Sequence, residues 1–312
     1  MTKGFELDPG TGDGGGVNGP TIPVIDYPSG TDNKIKAEFI IIGIGQDQTG
    51  QYCAGAWEDA ILWCMWASAL FELFDQQPET YDIVSFSMNV HLLGHEESVN
   101  RESLFDLPDT SGPGGGIFNF DYHQATLQNI YDVTANVVEN SDPNDLIFFI
   151  YSGHGYSYNE EEHSVQAYGI DEFLYDYNLK ILFDKFACSD STTTYESKLL
   201  VFIDSCFSGG MNEIMSIQAS ENVLMIAACR YNETTQAKFF NYMPDGSNYH
   251  GALTGYFIKQ YWDSSSCEWI NFDLDLENVF DTIKDYVDAY TSVPVLEDGD
   301  PSSYFYLRFY DN

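Results

Sequence analysis

Apolar residues run almost without a break through residues 37–44 (Ala37-Glu38-Phe39-Ile40-Ile41-Ile42-Gly43-Ile44), as expected of a strand buried on both faces. Residues 146–151 and 199–203 have the same character, and 223–228 form a fourth such run. Between them the period changes. Ile61, Leu62, Met65, Ala69, Leu70 and Leu73 recur at helical spacing within residues 53–76, and Pro78 stands just beyond. Leu127, Ile130, Val133 and Val137 mark a second helix over 124–139, and a turn at 142–145 leads into the next strand. Further helices are expected over 177–186, 253–262 and 274–290, a strand over 82–93, and a closing strand over 304–309. Residues 94–120, with the turn-rich run from Ser111 to Gly116, read as a loop. Strands alternating with helices predict an α/β sandwich around a mostly parallel sheet. There is no internal repeat. The first 36 residues are rich in Gly and Pro and read as a flexible tail, leaving one domain over residues 37–312.

Charge changes the picture most. Asp and Glu total 49 against 12 Lys and Arg, a formal net charge of −37. Such a surface repels phosphate backbones and anionic lipid, which excludes nucleic-acid and polybasic membrane binding, and it attracts cationic peptides or metal ions. With 44% hydrophobic residues the chain is far too apolar to be disordered. Its six cysteines form no Cys-x-x-Cys pair, and no His stands at zinc-ligand spacing from them. The sequence shows no signal-peptide pattern and no apolar run near the ~20 residues of a membrane span. A cytoplasmic protein with reduced thiols is the expectation.

Two of the buried strands end in small, polar residues: Tyr151-Ser152-Gly153-His154-Gly155 and Asp204-Ser205-Cys206-Phe207-Ser208-Gly209-Gly210. Ligands of open α/β sheets bind outside the carboxyl ends of the strands, so an imidazole and a thiol are expected at one sheet edge. A thiol needs such a neighbour, because its thiolate is the strong nucleophile. Taken singly, a Cys after an apolar strand is usually a small buried hydrophobe, and a His a hydrogen-bonded polar group. The Gly-x-Gly at 43–45 lacks the third glycine of a dinucleotide loop, and Glu160, Glu161 and Glu162 read as a solvated loop.

Ser-Gly-His-Gly, followed about 50 residues later by Asp-Ser-Cys-x-Ser-Gly, resembles the caspase-like cysteine peptidases, and among them the metacaspases and their prokaryotic relatives. Gly55-Ala56-Trp57-Glu58-Asp59-Ala60, Ala227-Ala228-Cys229-Arg230 and Gly251-Ala252-Leu253-Thr254 extend the likeness. Two positions depart from it. Phe207 stands where metacaspases usually carry His, and Glu58 where they carry Asn. The Gln-Ala-Cys-x-Gly box of Asp-specific caspases is absent.

The resemblance implies a caspase-like α/β/α sandwich and a cysteine endopeptidase. Cys206 is then the nucleophile, His154 its partner, and the N–H groups of Gly155 and Cys206 the oxyanion donors. It also implies that Asp204 and Asp59 receive Arg or Lys before the cleaved bond of a peptide or protein substrate. Many metacaspases use Ca2+. Asp171, Asp176 and Glu213 lie near the matching places, although the family's adjacent Asp pair is not evident, and Asp273, Asp275 and Glu277 lack the glycine of an EF-hand. Two rival readings stay open: a catalytically silent interaction or scaffold protein of the same fold, and an acidic calcium-binding protein whose Cys and His are structural.

Overall fold

The computed structural model describes residues 19–25, 35–76, 86–97, 99, 116–142, 144–187, 197–270, 275–288 and 292–300. Its centre is a seven-stranded sheet built from β1 (Ile35–Gly43), β2 (Phe86–Gly94), β3 (Ile117–Gln124), β4 (Leu146–Ser152), β8 (Lys198–Asp204), β9 (Val223–Ala227) and β14 (Val295–Asp298). The order is β14-β9-β8-β4-β1-β2-β3. Every pairing is parallel except that of β14 with β9. Between strands of this sheet, β5 (Gly155–Ser157), β6 (His163–Gln166) and β7 (Phe173–Tyr175) form a small antiparallel sheet after β4. Two hairpins follow β9: β10 (Ala237–Phe239) with β11 (Tyr249–Gly251), and β12 (Trp262–Asp263) with β13 (Glu268–Trp269).

The continuous apolar runs have a direct cause. Phe39, Ile41, Phe148, Ile150, Leu200 and Phe202 face one layer, made by α1 (Ala56–Gln76), α4 (Ala252–Ile258) and α5 (Leu276–Asp288). Their neighbours Ile40, Ile42, Ile147, Phe149, Leu199 and Val201 face the other, made by α2 (Leu127–Glu139) and α3 (Asp176–Phe183). Side chains alternate across a strand, so a strand covered on both faces has no polar positions to spare. The predicted α/β/α sandwich is therefore the observed one.

Helix ends follow local chemistry. Thr126 caps α2 by accepting from the Asn129 amide at 3.2 Å. Gly55, just before α1, has a left-handed backbone (φ +85°), and a side chain there would collide with the backbone of His250. That close approach delivers the first turn of α1 to the middle of the molecule.

Some expectations need correcting. Residues 117–120, read as the end of a loop, and Gln124, read as the start of a helix, belong to β3, and β5, β6, β7, β10 and β11 were not anticipated. The predicted closing strand at 304–309 lies outside the described residues, and β14 holds that edge of the sheet. Most of the predicted flexible tail also lies outside them, but residues 19–25 are described and seated on the domain. There Thr21 and Gln128 exchange two hydrogen bonds (2.8 and 3.0 Å), and Ile25 is buried in the α2–α3 layer. Among the described residues, no helix is long and apolar enough to cross a membrane.

Candidate active site

Strand order places a crevice where the chain reverses direction. From β1 the sheet grows through β2 and β3 on one side and through β4, β8 and β9 on the other, and ligands bind at such switch points. A cleft of about 260 Å³ lies there, lined by Tyr52, Cys53, Asp59, His154, Asp204 and Cys206 among others. Four sequence-predicted site residues thus share one cleft. Gly155 adjoins it: a side chain at this position would collide with the Cys206 carbonyl, so glycine is what lets the two strand ends close on each other.

His154 follows β4 and Cys206 follows β8, and both are partly exposed. The Tyr151 hydroxyl is fully buried and lies 3.0 Å from the His154 carbonyl and 2.9 Å from the Gln166 carbonyl, which fixes the turn carrying the imidazole. Burial lowers the His154 pKa below its ordinary value, against the opposing effect of a hydrogen bond to the Tyr52 backbone. Its Nε2 is buried and has no hydrogen-bond partner. The Cys206 thiol donates toward the Thr235 carbonyl at 3.5 Å. Burial raises its pKa, the Thr235 contact opposes that, and the Asp204 charge adds to it. Both shifts favour the neutral thiol and the neutral imidazole over an ion pair. Phe207, next in the chain, has a left-handed backbone (φ 58°), and its amide donates to the Glu233 carbonyl at 2.8 Å. A non-glycine residue held there stores strain of about 1–3 kcal/mol, and it sits at the turn that presents the thiol.

The two carboxylates differ. Asp59, in the first turn of α1, is fully buried. It accepts from the Ser152 hydroxyl (2.6 Å) and the Gly251 amide (3.0 Å), and its Oδ1 meets His250 Nδ1 at 3.1 Å. Asp204 accepts from the Thr254 amide at 2.8 Å, while its other oxygen, Oδ1, is buried with no partner. Burial, and then the charge of Asp59, raise the Asp204 pKa.

Sequence reasoning missed His250. Its ring is wholly buried between Asp59 and Asp245 (3.5 Å). Burial alone would lower its pKa, but the hydrogen bonds and charges of Asp245 and Asp59 outweigh this and raise it to about 10. It is thus an imidazolium behind the acidic end of the cleft. Cys53 was also missed; burial, then Asp59 and Asp204, push its thiol up to about 12. Cys229 lies outside the cleft, fully buried beside Ser208 (3.6 Å), as a packing residue.

Of the three calcium positions, Asp176 and Glu213 lie near enough to act on each other electrostatically. Asp176 is buried at the start of α3, and burial, then Glu213 and Glu162, raise its pKa to about 6. Asp171 occupies an exposed left-handed turn (φ 56°). Among the described residues, no group of three His, Cys, Asp or Glu side chains is disposed to hold a metal ion. Glu160, Glu161 and Glu162 are exposed, as expected.

No curated protein sequence matches the chain. The family model described as the caspase domain matches residues 116–306, more than half of it, and that stretch carries β3 to β14 with His154 and Cys206. The β1–α1 unit holding Asp59 precedes the matched stretch but completes the same sheet through the β1–β4 pairing. With the sandwich fold and the match in agreement, this chain belongs to the caspase domain family of cysteine peptidases.

Proposed function

We propose that the protein is a cysteine endopeptidase of the metacaspase type, cleaving after Arg or Lys with a Cys206–His154 dyad. The observation that carries this reading is the unpartnered, buried Oδ1 of Asp204 in the same cleft as the thiol and the imidazole. A buried acceptor without a donor is costly, and a guanidinium or ammonium supplies the missing donor together with the opposite charge. Asp59 acts from behind, its own oxygens being occupied by Ser152, Gly251 and His250.

In the first step Cys206 Sγ attacks the scissile carbonyl carbon while His154 Nε2 takes the thiol proton. The resulting oxyanion is held by the backbone N–H groups of Cys206 and Gly155. His154 then gives its proton to the departing amine as the C–N bond breaks, leaving a thioester. Water attacks that thioester with His154 as base, and the thiolate leaves and regains its proton. The directions of the two shifts, imidazole down and thiol up, support a proton that moves during attack rather than an ion pair stored beforehand. Activation by Ca2+ is part of the proposal only as a property to assay, because among the described residues no three His, Cys, Asp or Glu side chains are grouped to hold the ion. Matched reporter peptides ending in Arg, Lys, Asp or Asn test the reading. Cleavage after Arg and Lys is expected, and preference for Asp would refute the pocket assignment.

A further inference from the structure

The small sheet after His154, its first turn and the start of α3 together carry a row of aromatic rings that the cleft does not use. The Tyr156 ring lies 6.5 Å from that of His154 and meets Phe173 edge-on at 5.2 Å. Phe173 in turn meets Tyr158 at 6.4 Å, Tyr158 stacks on Tyr175 at 6.1 Å, and Tyr175 on Tyr177 at 5.3 Å. The near end is anchored. Tyr156 donates to Gln166 Oε1 (3.3 Å), and Gln166 donates to Asp47 (2.7 Å). The supporting strand β6 is buried along its whole length.

Rings that served only to pack the small sheet against the start of α3 would be buried. Tyr158 and Tyr177 instead keep 48% and 44% of their surface exposed. The turn between β5 and β6 adds exposed carboxylates at Glu160, Glu161 and Glu162. Among these, Glu162 acts electrostatically on both Tyr175 and Tyr177. Aromatic faces bordered by carboxylates suit guanidinium and ammonium groups, which Tyr attracts through its ring and Glu through its charge. Direction follows from the chemistry. His154 protonates the departing amine, so the substrate chain beyond the cleaved bond leaves beside His154, where the row begins.

We propose that this aromatic row is a binding ledge for an Arg- or Lys-bearing segment on the leaving-group side of the scissile bond; this rests on the peptidase reading above. The test uses two peptides with the same residue before the cleaved bond, one carrying Arg and one Ser at the second to fourth positions after it. Wild-type protein is expected to prefer the Arg peptide by roughly three- to thirty-fold in kcat/KM, the range of one or two cation–π contacts. Tyr158→Ala and Glu162→Gln should bring that ratio close to one, whereas Tyr158→Phe, which keeps the ring, should preserve it. The same peptides, labelled, are measured for binding to Cys206→Ala protein, where no turnover is needed. Equal use of both peptides by the wild type, or a ratio untouched by Tyr158→Ala, overturns the ledge. A binding ratio that follows the ring and the carboxylate without any cleavage supports the ledge and removes the peptidase reading instead.

Discussion

Ser152 and Asp204 are register partners across β4 and β8, and the residues two positions beyond each are His154 and Cys206. Parallel strands in register carry equal continuations to the same edge, so pairing in the middle of the sheet brings imidazole and thiol to one cleft. Cys206→Ala should reduce peptide cleavage to background with an unchanged circular dichroism spectrum. His154→Ala should cost about 10²–10⁴-fold in kcat, the usual worth of a positioned acid–base group. Cys229→Ala should keep activity and lose stability, because Cys229 is packing.

The resting protonation states predict the pH profile. His154 is held below its ordinary pKa, so kcat/KM should fall on the acid side with a midpoint under 6.5, as the imidazole gains a proton and can no longer accept one. The thiol is held above its ordinary value, so alkylation of the free enzyme by iodoacetamide should still be rising past pH 9. A flat, fast alkylation rate from pH 5 to 8 would mean a preformed thiolate.

His250 predicts a stability effect with a definite sign. Its pKa is raised from 6.5 to about 10 on folding, so its contribution is full below pH 6.5 and is lost as pH rises through about 10. His250→Gln should therefore lower urea stability more at pH 6 than at pH 10. An equal deficit at both pH values would show that the ring is neutral.

The pocket carboxylates should separate by mutation. Asp204→Asn should cost about 2–5 kcal/mol in kcat/KM for Arg peptides, as loss of one member of a desolvated charge pair does. Asp59→Asn should lower that activity and the melting temperature together, since Asp59 also holds Ser152, Gly251 and His250. Parallel kinetics and thermal melts on both variants distinguish the roles.

Residues 208–222 contain neither Lys nor Arg, and Met211, Ile214 and Ile217 in that stretch are buried in the α2–α3 layer. The active protein should stay uncut there. Intact mass of wild-type protein after prolonged incubation, beside Cys206→Ala, checks this; a cut confined to the wild type within 208–222 would contradict it.

The central strands were legible because β1, β4, β8 and β9 are covered on both faces, which leaves continuous apolar runs. β3 was not. It is an edge strand whose Asn119, Asp121 and His123 interrupt the apolar residues, so it reads as loop. β5, β6 and β7 have three or four residues each, too few for a period to show. That Cys206 and His154 share a cleft could be expected from motif and spacing, but the Asp59–His250 contact joins residues far apart in the chain and leaves no local pattern. A His directly before Gly251, in a stretch already resembling the family, was the only available signal.

Two thiols, Cys53 and Cys206, line the cleft, so the central claim comes down to which one reacts. The most direct measurement is labelling with an Arg-ending peptidyl chloromethyl ketone at pH 7, followed by peptide mapping in a mass spectrometer. The account predicts one adduct per chain, on Cys206, abolished by Cys206→Ala and slowed by Asp204→Asn. An adduct on Cys53, or labelling that survives Cys206→Ala, would contradict it.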